Sequence, residues 1–290
     1  MKWIGRRKST SVDDRRGSGT KSVGGRTLAG GGIVTVIAVV IALLTGNLGS
    51  LTDLVGLQPS DVIEQPYIES EEDRQLFDYA SVVLADIEDT WNTILPMYGE
   101  EYDEPTLTIY DGMVQSGCGT ADSGVGPFYC TIDRAIYLDL SFYDSLVRSY
   151  GASRGDFVMS YVIAHEAGHH VQTLLGVTSQ MNSLRQRVAA GQMSQADFND
   201  YSVRYELQAD YLAGVVAHFM KERGYLEQGD IAEALSAASA VGDDSIQRRA
   251  QGYVDPDTFN HGTSDQRQAW FMKGFEAGDL SDWDTFDTAI

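Results

Sequence analysis

No charged residue lies between Arg26 and Asp53. Residues 33–44, IVTVIAVVIALL, form an almost purely aliphatic run inside that gap. A membrane crossing needs about 20 largely apolar residues, and residues 28–48 supply them once their glycines are admitted. Residues 1–27 carry eight basic and two acidic side chains, while the chain as a whole has a net charge of -21. A basic flank before the apolar run and an acidic one after it place the N-terminus in the cytoplasm and the rest outside. A cleaved signal peptide shares this charge plan, but the basic arm is long and no small-x-small site follows the run. A buried core helix suits the segment poorly, because it is apolar all round with Gly/Ser-rich flanks. The expected organisation is a disordered basic cytoplasmic arm (1–27), a single-pass transmembrane anchor (28–48), a linker (49–68) and one extracytoplasmic domain (69–290).

The acidity of that domain repels phosphates, so nucleic acid is excluded as a partner. Its plain physical meaning is solubility. The two cysteines, Cys118 and Cys130, follow the anchor and so fall in a compartment that permits disulfides. An even count favours a bridge over two unpaired buried thiols, and the absence of a CxxC pair argues against a zinc ribbon.

Apolar residues at Leu76, Ala80, Val83, Ile87, Trp91 and Ile94 recur at helical spacing and stop at Pro96. TLTIYDG and RAIYLDLSF read as strands, the second with β-branched and aromatic alternation. Helical patterns follow from Asp156 to about Leu175, from Ser194 to Gly224, through GDIAEALSAASAVGDD, and through TSDQRQAWFMKGFEAGD. The expected fold is α+β: a helix-rich domain with a small β-sheet.

The densest chemistry lies in FVMSYVIAHEAGHHVQTLLG, residues 157–176, which holds three of the five histidines. A helix turns about 100° per residue, so His165 and His169 project within about 40° of each other, one turn apart. Two imidazoles so placed can hold one divalent metal. Glu166 is rotated off that line and reaches a water rather than the metal, which is the HExxH arrangement with the glutamate as general base. His170 lies about 100° from His169 and reads as a packing or hydrogen-bonding residue. Gly168 allows another element to come close.

A catalytic zinc needs three protein ligands and one open position. In YELQADYLAG, Glu206 and Asp210 share a helix face, with Ala213, Gly214 and Ala217 near it for tight packing on the HExxH helix. Glu206 would reach the metal, and Asp210 would accept the ring N–H of a ligating histidine and fix its tautomer. The bland reading of these two acids is a solvated face. His218 is turned well away from Glu206.

AHEAGHHVQ, CGTADSGVGPFYC, ELQADYLAG and HGTSDQR resemble, motif by motif, the bacterial neutral zinc metallopeptidase family. The resemblance spans roughly residues 70–278 and extends to a basic N-terminus and one membrane span. It implies a zinc-dependent peptidase and names no substrate. The Glu-x-x-x-Asp pattern is similar to that of gluzincin peptidases, which makes Glu206 the third zinc ligand and Asp210 its companion. CTID departs from the family in lacking a proline after the second cysteine. Within HGTSDQR, His261 or Arg267 is a candidate oxyanion donor, and the plainer reading is a helix cap at Thr263 or Ser264.

The expected activity is zinc-dependent endopeptidase chemistry, with the strand near AIYLDL aligning an extended peptide by β-addition. Two other readings stay open: a catalytically silent, zinc-stabilised binding module outside the membrane, and a membrane-anchored scaffold without metal.

Overall fold

The computed structural model describes residues 1–17 and 68–290, and over these residues the chain is helix-rich α+β. The expected anchor (28–48) lies outside the described residues, as does all but the last residue of the linker. Among the described residues no helix is long and apolar enough to cross a membrane.

The arm departs from expectation. Residues 1–17 pack on the domain, and Val12–Asp14 forms strand β1, parallel to β2 (Thr106–Tyr110) with Val12 opposite Leu107. Composition suggests disorder for so basic a stretch. The physical reason for order is charge complementarity with the acidic helix α1 (Glu71–Ile94): Lys8 pairs with Asp78 at 2.6 Å and Arg7 with Glu88 at 2.8 Å. Trp3 also packs edge-on against Tyr79 at 5.7 Å between ring centroids.

α1 starts at a capping box, in which Ser70 accepts from the Asp73 amide and the Asp73 carboxylate accepts from that of Ser70. Its apolar stripe, including Val83, Leu84, Ile87 and Trp91, is fully buried. The main sheet has the order β1-β2-β6-β5, where β5 is Phe128–Cys130 and β6 is Ala135–Asp139. β1, β2 and β6 run parallel, and β5 is antiparallel to β6. All five residues of β6 are buried, as suits a central strand. Between β2 and β5 the cysteine segment folds into a hairpin of β3 (Met113–Ser116) and β4 (Gly119–Asp122). A Cys118–Cys130 disulfide ties this hairpin to β5, with Cα atoms 5.8 Å apart.

β6 was the strand expected to receive a peptide. It is hydrogen-bonded on both sides, by β2 and β5, and has no free edge. Among the described residues the strand at that edge of the sheet is β5, which pairs only with β6.

After the short helix α2 (Phe142–Arg148) come α3 (Phe157–Leu174), α4 (Val177–Ala189), α5 (Gln195–Glu222), α6 (Asp230–Ala240), α7 (Asp243–Gln251) and α8 (Ser264–Ala277). α5 packs on both α3 and α8. Gly214, expected against α3, instead meets α8: a Cβ there would fall 2.0 Å from the Phe271 carbonyl oxygen. Gly274 answers from the other side, where a Cβ would fall 1.9 Å from the Tyr211 carbonyl oxygen. Both obstacles are backbone, so neither can rotate away. Gly214→Ala is expected to force α5 and α8 apart and lower stability by roughly 3 kcal/mol. Urea unfolding of the purified variant measures this, and an unchanged midpoint would contradict the close crossing.

Candidate metal centre

α3 meets α5 where neither helix has bulk. A Cβ on Gly168 would lie 3.0 Å from the Ala209 carbonyl oxygen and 3.1 Å from its Cα. This contact faces the turn of α5 that carries Glu206 and Asp210. The two helices therefore bring their polar residues together inside the core.

His165, His169 and Glu206 each offer a donor atom, and these atoms lie within 4.8 Å of one another. The Nε2 atoms of His165 and His169 are 3.2 and 3.6 Å from Glu206 Oε2. Tetrahedral zinc with bonds of about 2.0–2.1 Å needs donors about 3.3 Å apart, so the set fits that ion. The opposite ring nitrogens are tied back. His165 Nδ1 donates to Asp210 Oδ1 at 2.8 Å, and His169 Nδ1 donates to Gln172 Oε1 at 2.8 Å. The Gln172 amide is itself oriented, because its nitrogen donates to Tyr205 O and Gln208 Oε1. With each Nδ1 already bonded, Nε2 is the atom that either ring would offer a metal. Without one, burial lowers the basicity of His165, but the carboxylates of Asp210 and Glu206 more than restore it, and its pKa is pushed up to about 9. The His169 ring also stacks on Tyr205, with centroids 4.9 Å apart.

Asp210 is fully buried. Besides His165 it accepts from the Tyr161 hydroxyl at 2.6 Å and from Arg267 Nε at 2.8 Å. Burial works against its ionisation, yet Arg267 and His165 outweigh that and hold the carboxyl below its usual range. Arg267, a candidate oxyanion donor by sequence, is committed to this ion pair. The cap of α8 is Thr263, in a capping box with Gln266.

His261 lines the same cavity of about 500 Å³ as His165, Glu166, His169 and Glu206. Its Nδ1 donates to Asp243 Oδ1 at 3.1 Å, while Asp243 Oδ2 accepts the backbone N–H groups of Asn260, His261 and Gly262. Burial lowers the basicity of this imidazole, and Asp243 more than restores it, so its pKa is raised. Glu166 is buried, and its carboxylate makes no hydrogen bond to another described residue. Its burial raises its pKa, although His169 and His165 pull it back in part.

Two other histidines stand apart from the cluster. His170 Nδ1 meets the Tyr129 hydroxyl at 2.9 Å and its Nε2 the Asp103 carbonyl, so it is a structural residue. His218 bonds Phe275 O at 2.8 Å. Sequence reasoning missed Tyr161, Gln172, Tyr205 and Asp243. Gln172 stands three residues after His169, a spacing that places it on the same helix face. Tyr161 sits four before His165 and was readable in the same way. Asp243 carried no such signal, since its distance from His261 is set by the loop after α7.

The family described as "Putative neutral zinc metallopeptidase" matches residues 1–286. The chain belongs to that family. An uncharacterized protein, YpfJ, of Escherichia coli K12 is 46% identical over 299 residues, covering 100% of each chain. An uncharacterized protein, Rv2575, of Mycobacterium tuberculosis H37Rv is 42% identical over 213 residues, covering 70% of this chain and 68% of its own. No solved structure matches. Membership assigns a zinc peptidase at the family level, and the donor set at the α3–α5 crossing suits that metal.

Removing the carboxylate in Glu206→Ala should abolish stoichiometric zinc in protein purified without chelators. Asp210→Asn should keep zinc but weaken it by about 10- to 100-fold, since it loosens the orientation of His165 without removing a ligand, and it should also lower stability because Arg267 loses its buried counter-charge. Competition with a chromogenic chelator measures both, and unchanged affinity in Glu206→Ala would remove that residue from the ligand set.

Proposed function

We propose that the protein is a zinc-dependent endopeptidase whose metal is held by His165, His169 and Glu206. The observation that carries this reading is the convergence of two Nε2 atoms and one carboxylate oxygen within 4.8 Å, with both Nδ1 atoms already bonded. Zinc in this position would polarise the scissile carbonyl and lower the pKa of a water.

The chain's own groups then account for the proton traffic. Glu166 follows His165 directly and lines the same cavity. Its carboxylate takes a proton from the attacking water and passes it to the leaving amine nitrogen as the C–N bond breaks. Burial raises the pKa of Glu166, the direction that makes a carboxylate a better proton acceptor. His261 is held at Nδ1 by Asp243 and lines the cavity, and its raised pKa favours the imidazolium form, whose Nε2–H is a donor. It supports the negative charge that grows on the substrate oxygen. Asp210 keeps His165 in its ligating tautomer.

The substrate is an extended peptide or protein segment. The outer position of β5 among the described residues supports this, because β5 runs beside α3 and Phe128 and Tyr129 line the cavity. A peptide added there would gain main-chain hydrogen bonds that β6 cannot give. The apolar run of residues 28–48 supports attachment of the protein to a membrane.

Digestion of casein or a peptide library by the purified protein tests the reading. Hydrolysis should stop with a chelator and return with zinc. Glu166→Gln should retain zinc and lose about 10²–10⁴ in kcat, the usual worth of a general base. Zinc binding by the parent protein without hydrolysis of any substrate would favour a binding module. Full activity in Glu166→Gln would overturn the assignment of the base. His261→Ala should lower kcat by about 10²–10³ with zinc content unchanged, and an unaltered kcat would exclude His261 as the oxyanion donor.

A further inference from the structure

Residues 1–17, which precede the apolar run, are bonded along their length to elements that follow it. Lys2 N donates to Tyr225 O at 2.8 Å, and Ser9 N to Ser81 O at 2.9 Å. Leu107 N donates to Ser11 O at 2.9 Å, and Arg15 N to Ile109 O at 2.8 Å. The arm thus engages the loop after α5, helix α1 and strand β2. Its charges are matched as closely. Arg6 pairs with Asp86 and lies 3.3 Å over the Tyr225 ring. Arg7 reaches Glu88 and Asp89 at 2.8 and 2.7 Å, and the Ser9 hydroxyl donates to Glu88. The α-ammonium of Met1 sits among Asp156, Glu227 and Asp230 at 2.8, 3.1 and 3.3 Å.

These contacts are not decorative. Asp86 and Glu88 are each 2% exposed. The arm supplies the ion-pair partner of both carboxylates. Without it, two buried charges on α1 would lose their ion pairs, a strongly unfavourable state. Asp156 and Asp230 stand at the starts of α3 and α6. Asp156 makes no side-chain cap bond to its own helix; Glu233 of α6 takes the Phe157 amide instead, at 3.1 Å. The positively charged chain end therefore joins the two helix starts, one of them belonging to the helix with His165 and His169. The family match includes this arm.

Sidedness follows from one distance. Arg16 Nη2 lies 2.9 Å from Glu69 Oε1, so the two ends of the segment between them meet. A single crossing by residues 28–48 would separate those ends by a hydrocarbon layer of about 30 Å. The ion pair and the single crossing are mutually exclusive within one chain. We infer that residues 1–17 are a strand and counter-charge of the catalytic domain, and that arm and domain occupy the same side of the membrane. The positive-inside reading of the flanks fails here because the basic residues have a second use, the neutralisation of acids on the domain. This inference is independent of the peptidase assignment.

The test uses the full chain in spheroplasts. Ile4 and Tyr253 are 85% and 63% exposed, one in the arm and one in the domain. Ile4→Cys and Tyr253→Cys, made singly, are treated with a membrane-impermeant maleimide before and after lysis, and labelling is scored above that of the parent chain. The expected result is equal behaviour: both cysteines label in intact spheroplasts, or both label only after lysis. Labelling of one and protection of the other would overturn the inference. As a second reading on purified full-length protein, Arg6→Glu together with Arg7→Glu should lower Tm by more than 5 °C, whereas Lys273→Glu on α8 should shift it by less than 2 °C. Equal small shifts would show that the arm is not a structural part of the domain.

Discussion

The structure is organised around a carboxylate that has no access to water. Asp210 lies in the middle of α5 and is fully buried. An isolated ionised carboxylate in such a place would be very unfavourable. It persists because donors from two other helices converge on it: Tyr161 and His165 from α3, and Arg267 from α8. Each of those bonds also fixes something else. The His165 bond fixes the ring with Nε2 beside Glu206, and the Arg267 bond docks α8 on α5. Metal site and helix packing are therefore set by one ion.

That convergence requires short distances between helix axes, and small residues provide them. Gly168 meets Ala209 at one crossing, while Gly214 and Gly274 meet the backbone of the opposing helix at the other. Long apolar side chains at these positions would separate the helices and leave the polar groups short of their partners. The same logic extends to the sheet. β6 is central and gives rigidity beside α3, whereas β5 is the outer strand among the described residues and contributes Phe128 and Tyr129 to the cavity lining.

Much of this was legible in the chain. The four-residue spacings of His165 with His169 and of Glu206 with Asp210 are dictated by the helical turn, so they survive without knowledge of tertiary structure. Helix limits at Ser194, Gly176 and Pro96 were readable for the same reason, since caps and breakers act locally. What was hidden depends on loops and on long-range charge. Asp243 reaches His261 only because the segment after α7 folds back. The ordered arm was read as disordered because its composition is polar and basic, and composition carries no information about acids that meet it from α1. The two strands were placed, yet β6 was chosen over β5 for peptide alignment because edge and centre are properties of the sheet and not of either segment.

The central claim is that α3 and α5 present two imidazoles and one carboxylate to a single zinc ion. X-ray absorption spectroscopy of the zinc-loaded protein tests it most directly. The account predicts a first shell of about four nitrogen and oxygen atoms near 2.0 Å with the outer scattering of two imidazole rings. A shell containing sulfur, or one with no imidazole scattering, would contradict it.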